Sequence, residues 1–265
     1  YWELGFVSKS SRAAEYTRMV EFIGDSLRFM ETLTGNPASE INRVDFFTSH
    51  EGLHLFYEQA QTRHVPRRTG WYNLSTHLPW IGERTRALDG AHVEFFRGIA
   101  NPIGVKLGPA ATPDEVLALA EALNPKNEPG RLTLILRFGA GRVAQCLPPL
   151  VAAVRRAGKQ VLWCCDPMHG NTETTSEGIK TRRFDNILGE LEQSFLILKE
   201  GGAHLGGVHI ELTGENVTEC LGGASGVTEA DLRRDYRSQV DPRLNYEQAM
   251  ETAMRLARLM AQHEK

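Results

Sequence analysis

The sequence predicts an α/β chain on a parallel sheet, arranged as units three to eight of a (β/α)8 barrel whose first two units are absent. Two patterns predict it. Short β-branched and aromatic runs alternate with amphipathic stretches, which is how strands joined by crossover helices are written. The six strands so assigned end in charged or metal-capable side chains, and a barrel gathers its chemistry at that rim. An open doubly wound sheet is the alternative for six parallel strands; the full set of polar strand ends favours the barrel.

Residues 1–37 read as a helical lead-in, and 38–265 as six βα units of a single, partial catalytic barrel domain. Met19, Val20, Phe22, Ile23, Leu27, Phe29 and Met30 fall at helical spacing over 11–33, and Gly35-Asn36-Pro37 ends the run. Strands are expected at 44–48, 103–106, 132–136, 161–165, 208–212 and 236–240. Helices are expected at 84–99, 112–123, 142–157, 181–200, 228–234 and 246–262, the second behind the cap-like Thr112-Pro113-Asp114-Glu115. The segment 60–72 reads as a basic surface loop.

Composition narrows the function classes. With 41% hydrophobic and 24% charged residues in 265, one sizeable core is expected. A net charge of -3 with dispersed basic residues gives no stripe for nucleic acid. No apolar run approaches the ~20 residues that span a bilayer, and Tyr1-Trp2-Glu3-Leu4-Gly5 lacks a signal-peptide pattern. A soluble cytoplasmic protein is expected. Cys146, Cys164, Cys165 and Cys220 form no CxxC, and Cys146 and Cys220 read as packing residues. Because the chain starts without Met inside what reads as an element, a missing N-terminal segment of roughly one to two hundred residues is expected.

The candidate site residues come from different strand ends. His169, Glu211 and Asp241 supply one imidazole and two carboxylates, a mixed set that a divalent ion accepts. Singly, each has a plainer reading: His169 could bond a carbonyl, and Asp241 before Pro242 could cap a helix. Lys106 and Arg137 would project into the barrel mouth, where a ligand with phosphate and carboxylate would answer two cations; pairing with carboxylates on the same rim is the alternative. The run Trp80-Ile81-Gly82-Glu83-Arg84-Thr85-Arg86 puts an acid and bases at a helix start that favours anions, although Arg86 and Asp89 also read as surface charges. Gly139-Ala140-Gly141-Arg142-Val143-Ala144 fits a dinucleotide fingerprint, with Asp166 as its acid, and supports a runner-up reading as an NAD-dependent oxidoreductase.

Longer motifs then resemble one family. They are the run 80–86 with Asp89-Gly90-Ala91-His92; Asn101-Pro102-Ile103-Gly104-Val105-Lys106-Leu107-Gly108-Pro109; and Pro129-Gly130-Arg131-Leu132-Thr133-Leu134 running into Arg137. Cys165-Asp166-Pro167-Met168-His169-Gly170-Asn171, Lys180-Thr181-Arg182-Arg183-Phe184-Asp185, the run 211–223 and Asp241-Pro242-Arg243-Leu244-Asn245 continue the match in order. Over essentially the whole chain, the sequence resembles the type II 3-deoxy-D-arabino-heptulosonate 7-phosphate (DAHP) synthases.

The resemblance implies a (β/α)8 barrel that condenses phosphoenolpyruvate with erythrose 4-phosphate, the first step of the shikimate pathway. It implies one divalent metal ion on His169, Glu211, Asp241 and a first-strand cysteine, with manganese or cobalt favoured over zinc, iron or magnesium. Glu83, Arg84, Lys106 and Arg137 would surround phosphoenolpyruvate, with Glu83, Lys106 and His169 catalytic. The family's first two units, with that cysteine, a further arginine and a Lys-Pro-Arg loop, have no counterpart here, so the isolated chain is expected to be inactive. A cysteine that some members carry before Asp-Pro-Arg is Val240 here, so no redox link is expected there. A homo-oligomer and feedback by aromatic amino acids are further expectations. A non-catalytic regulatory paralogue of the barrel is the remaining alternative, and the intact site residues argue against it.

Overall fold

Six short runs pair in one parallel sheet: β1 (Ser49–Glu51), β2 (Leu78–Ile81), β3 (Ile103–Leu107), β4 (Leu132–Leu136), β5 (Leu162–Cys165) and β6 (Leu205–Val208). Their lateral order follows the chain order. The computed structural model describes residues 5–34 and 45–263. Every residue of β3 and β4 is buried, as in parallel strands covered on both faces. Val105, Leu107, Leu134 and Leu136 pack with Val116 and Leu119 of the helix Pro113–Leu123 and with Leu147 and Leu150 of the helix Val143–Arg156. Thr112 caps the first of these helices by accepting from Glu115 N at 3.3 Å.

This sheet lies in one of two compact units, formed by Phe47–Glu173 and Asp185–Glu211. The other comprises Tyr1–Phe46, Thr174–Phe184 and Leu212–Lys265. In it, the helix Ala13–Thr34 buries Tyr16 in a small cluster with Phe6, Val7 and Met254, the last on the helix Tyr246–His263. The buried Glu219 carboxylate accepts from the backbone N–H groups of Arg237 (3.0 Å), Ser238 (2.8 Å) and Arg243 (2.8 Å).

Several expectations shift. Of the first expected strand, 45–48 is irregular and Val44 lies outside the described residues. The strand is β1, set by its pairing of Ser49, His50 and Glu51 with Leu78, Pro79 and Trp80. The partner β2 carries a proline, which reads against a central strand. The last two expected strands also move. At 208–212 the strand is instead 205–208, where Gly206 leaves no room for a Cβ against Leu162, so Glu211 stands in the loop beyond. At 236–240 there is no strand, because Glu219 takes the N–H groups a ladder would need.

The helix expected at 84–99 is a 3-10 turn, Glu83–Thr85, followed by the helix Ala91–Gly98. At 228–234 only the turn Glu229–Asp231 forms, closed by reciprocal bonds between Thr228 and Asp231. The expected helix 181–200 begins later, at Phe184. Within 60–72 the chain forms a hairpin, pairing Thr62–His64 with Trp71–Asn73 through a turn that holds Arg67 and Gly70 at positive φ.

Among the described residues no disulfide forms. Burial drives the Cys164 thiol up to about 12 and Cys165 well above its ordinary value. No described helix is long and apolar enough to cross a membrane.

Leu134→Ala, at a fully buried position, is expected to cost about 2–5 kcal/mol. Leu162→Ala, where the side chain is 43% exposed, is expected to cost under about 1 kcal/mol. Guanidinium unfolding of the two variants measures the difference.

Candidate active site at the sheet's C-terminal edge

Parallel strands direct their C-terminal ends to one edge, and in α/β proteins ligands bind outside that edge. Glu83 and Arg84 lie on the turn just past β2, Lys106 lies within β3, and Arg137 is the first residue after β4. Asp166 follows β5 directly, His169 opens the 3-10 turn His169–Asn171, and Glu211 lies three residues past β6.

Asp166 joins this set. It is wholly buried and accepts from Lys106 Nζ at 2.8 Å and from the backbone N–H groups of Met168 and His169, each at 3.1 Å. His169 Nδ1 lies 2.8 Å from the same carboxylate. Burial alone would raise the Asp166 carboxyl, but the bond to His169 and the charge of Lys106 hold it well below the usual carboxylate range. His169 responds in the opposite direction: burial lowers it, but bonds to Asp166 and Glu211 leave it raised. With Nδ1 committed to Asp166, Nε2 faces outward and lies 3.2 Å from Glu211 Oε1.

Lys106 is 5% exposed, and its ammonium sits 4.4 Å from the centroid of the Trp80 ring. That ring meets His209 edge-on at 5.7 Å. Burial lowers the His209 imidazole below its ordinary value. Asp166, His169 and His209 each offer a donor atom within 4.8 Å of the others, and these three could hold a metal ion. Arg137 Nη2 donates to the His169 carbonyl at 3.0 Å, tying two strand ends together.

Glu83 packs over the start of the next loop, where Gly108 leaves the space that a Cβ would fill against the carboxylate. Its Oε2 is buried with no hydrogen-bond partner. Arg86 is not the surface charge that its spacing suggests. It is 6% exposed, pairs with Glu115 and lies 3.4 Å from Glu83, so it anchors the acid to the neighbouring helix. Arg84 is exposed on the same turn. Asp241 belongs to the other unit, in a loop rather than at a strand end, where it pairs with Lys180 and lies 3.9 Å from Arg182 Nη2.

The glycine turn at 139–141 does not cradle a pyrophosphate. The N–H groups of Phe138 and Gly139 donate to the Glu190 carboxylate at 2.7 and 2.9 Å, and that of Ala140 to Asn171 Oδ1 at 2.9 Å. The donors a dinucleotide needs are already used by the protein. Sequence reasoning assigned no site role to Trp80 or His209 and gave Asp166 to the fingerprint. The Asp-Pro-Met-His spacing, three residues from carboxylate to imidazole, was the available signal for Asp166; His209 was hidden inside an expected strand.

The chain is 47% identical over 272 residues to a phospho-2-dehydro-3-deoxyheptonate aldolase of Neurospora crassa, covering 97% of this chain and 56% of that protein. It is 47% identical over 259 residues to a protein of the same name from Streptomyces coelicolor, covering 97% and 57%. The chain thus spans about half the length of these relatives. A solved phospho-2-dehydro-3-deoxyheptonate aldolase from Francisella tularensis aligns at 18% identity with a TM-score of 0.44, covering 70% of this chain and 55% of that one. The sequence model described as the Class-II DAHP synthetase family matches residues 1–257, nearly the whole chain, and the chain therefore belongs to that family.

Proposed function

We propose that the protein containing this chain condenses phosphoenolpyruvate with erythrose 4-phosphate and water to give DAHP and phosphate. The first step of the shikimate pathway is this reaction. The observation that carries the reading is the convergence of Lys106 and Arg137 on the Asp166–His169 pair, whose outward imidazole nitrogen faces Glu211. Family membership and the names of the relatives support it. In the same reading, β1 to β6 are units three to eight of a (β/α)8 barrel. Their uninterrupted lateral order supports this, since a doubly wound sheet reverses order at a switch point.

The donor set fits a divalent ion. His169 has one nitrogen oriented by a buried carboxylate and the other facing a second carboxylate, which is how a ligating imidazole is usually prepared. His169 and Glu211 would hold the ion, manganese or cobalt before zinc, iron or magnesium, as mixed nitrogen and oxygen donors allow. When bound, it would supply Lewis-acid polarisation of the aldehyde.

The chain's own residues do the rest. Lys106, Arg137 and Arg84 bind the phosphoenolpyruvate anion and fix its C3 toward the aldehyde carbon, saving orientation entropy. A C–C bond forms between them as the aldehyde C=O π bond opens, its electron pair passing to the aldehyde oxygen, which takes up a proton to become a hydroxyl, and positive charge develops at C2. Glu83, with one carboxylate oxygen buried and unpartnered, orients the water that adds at C2 and takes its proton. Phosphate then leaves. Homo-oligomerisation and feedback by aromatic amino acids belong to the same proposal.

In the full-length protein, Glu211→Ala is expected to abolish metal-dependent phosphate release without moving the thermal unfolding midpoint; unchanged turnover would remove Glu211 from the ligand set. Asp166→Asn is expected to weaken Mn2+ binding by about 10–100-fold, read by electron paramagnetic resonance of free Mn2+.

A further inference from the structure

We infer that Glu190 is a positioning residue for the proposed reaction: its carboxylate clamps the turn carrying Arg137 to the turn carrying His169. The inference rests on the reading above and concerns a residue that touches no substrate in it. Glu190 projects from the helix Phe184–Glu200 and is wholly buried. Oε1 accepts from the N–H groups of Phe138 and Gly139, at 2.7 and 2.9 Å, just after Arg137. Oε2 accepts from Asn171 Nδ2 at 2.7 Å, two residues after His169.

Asn171 closes the clamp from its own side. Its Oδ1 accepts from Ala140 N at 2.9 Å, and its Nδ2 also donates to the Pro167 carbonyl at 2.9 Å. The turns meet backbone to backbone beneath it. Gly139 has φ +86°, and a Cβ there would stand 2.7 Å from the Gly170 carbonyl. One carboxylate therefore fixes two loops whose separation sets the reach between the Arg137 guanidinium and the His169 imidazole.

Among the described residues, the hydrogen-bond partners of Glu190 are uncharged N–H groups, and a buried carboxylate without a paired cation is costly. Burial accordingly pushes its carboxyl up to about 7, against the opposing pull of the Gly139 and Phe138 N–H groups. Two acceptor oxygens on one rigid side chain hold both turns, which neither a hydroxyl nor an apolar group could do.

Two variants of the full-length protein separate positioning from mere stability. Glu190→Gln keeps one oxygen for Phe138 and Gly139 but turns an NH2 toward the NH2 of Asn171, so it loosens only the His169 turn. It is expected to leave KM for phosphoenolpyruvate within about threefold of wild type. Its Mn2+ affinity should fall about tenfold, measured on metal-free protein by electron paramagnetic resonance. Glu190→Ala releases both turns and is expected to raise that KM by about tenfold as well.

A lower unfolding midpoint with wild-type KM and Mn2+ affinity in both variants would overturn the inference. Should Glu190→Ala fail to fold, the Mn2+ affinity of Glu190→Gln decides: a loss supports the clamp, and no change overturns it. A wild-type protein that releases no phosphate from the two substrates overturns the proposed reaction and the inference with it. Wild-type turnover with unaltered variants overturns the inference alone.

Discussion

The site depends on one buried carboxylate. Asp166 has no exposed surface, and stripped of water it would favour its protonated form. Lys106 and His169 together with two backbone N–H groups keep it ionised. The dependence is mutual, since a buried lysine 4.4 Å over an indole also needs an anion. With its ammonium held from one side by Asp166 and covered by Trp80, Lys106 has little freedom. His169, fixed through Nδ1, can offer only Nε2. Two side chains, one from β3 and one from the turn beyond β5, thus acquire one orientation each from a single acid.

The sheet supplies that acid's position. Asp166 is the first residue after β5, and its own N–H still donates to the Leu136 carbonyl of β4 at 2.7 Å. It therefore moves with the strands and not with the loop. Lys106 lies within β3, so the pair spans β4 between them. Packing of the strands against the helices fixes the electrostatics in turn, because interiors close-packed to this degree deform little.

Much of the sheet was legible because β3, β4 and β5 are short runs dominated by apolar residues, and the helices at 112–123, 142–157 and 246–262 announce themselves by period, the first also by its Thr112 cap. What could not be read depended on partners distant in sequence. Pro79 disguised β2, and two glycines disguised β6, where close approach to Leu162 requires the first of them, Gly206. The segment 236–240 looked like a strand, but its N–H groups are drawn off by Glu219, some twenty residues earlier. The site divides similarly. The positions of Lys106 and Arg137 at the sheet's edge could be read from the ends of β3 and β4, whereas the strand expected to carry Glu211 ends three residues short of it, and Arg86 looked like a surface charge because its partner Glu115 lies on another helix.

The two thiols beside this acid have a consequence for handling the protein. Cys164 and Cys165 immediately precede Asp166, and burial keeps the first protonated up to about pH 12 and the second well beyond its ordinary range. The thiolate is the form that alkylates, forms mixed disulfides and captures soft metals. At neutral pH both sulfurs therefore behave as small apolar groups. Cys165 has no exposed surface, so a thiol reagent should reach that sulfur only after the sheet opens, which makes its reaction a clock for unfolding.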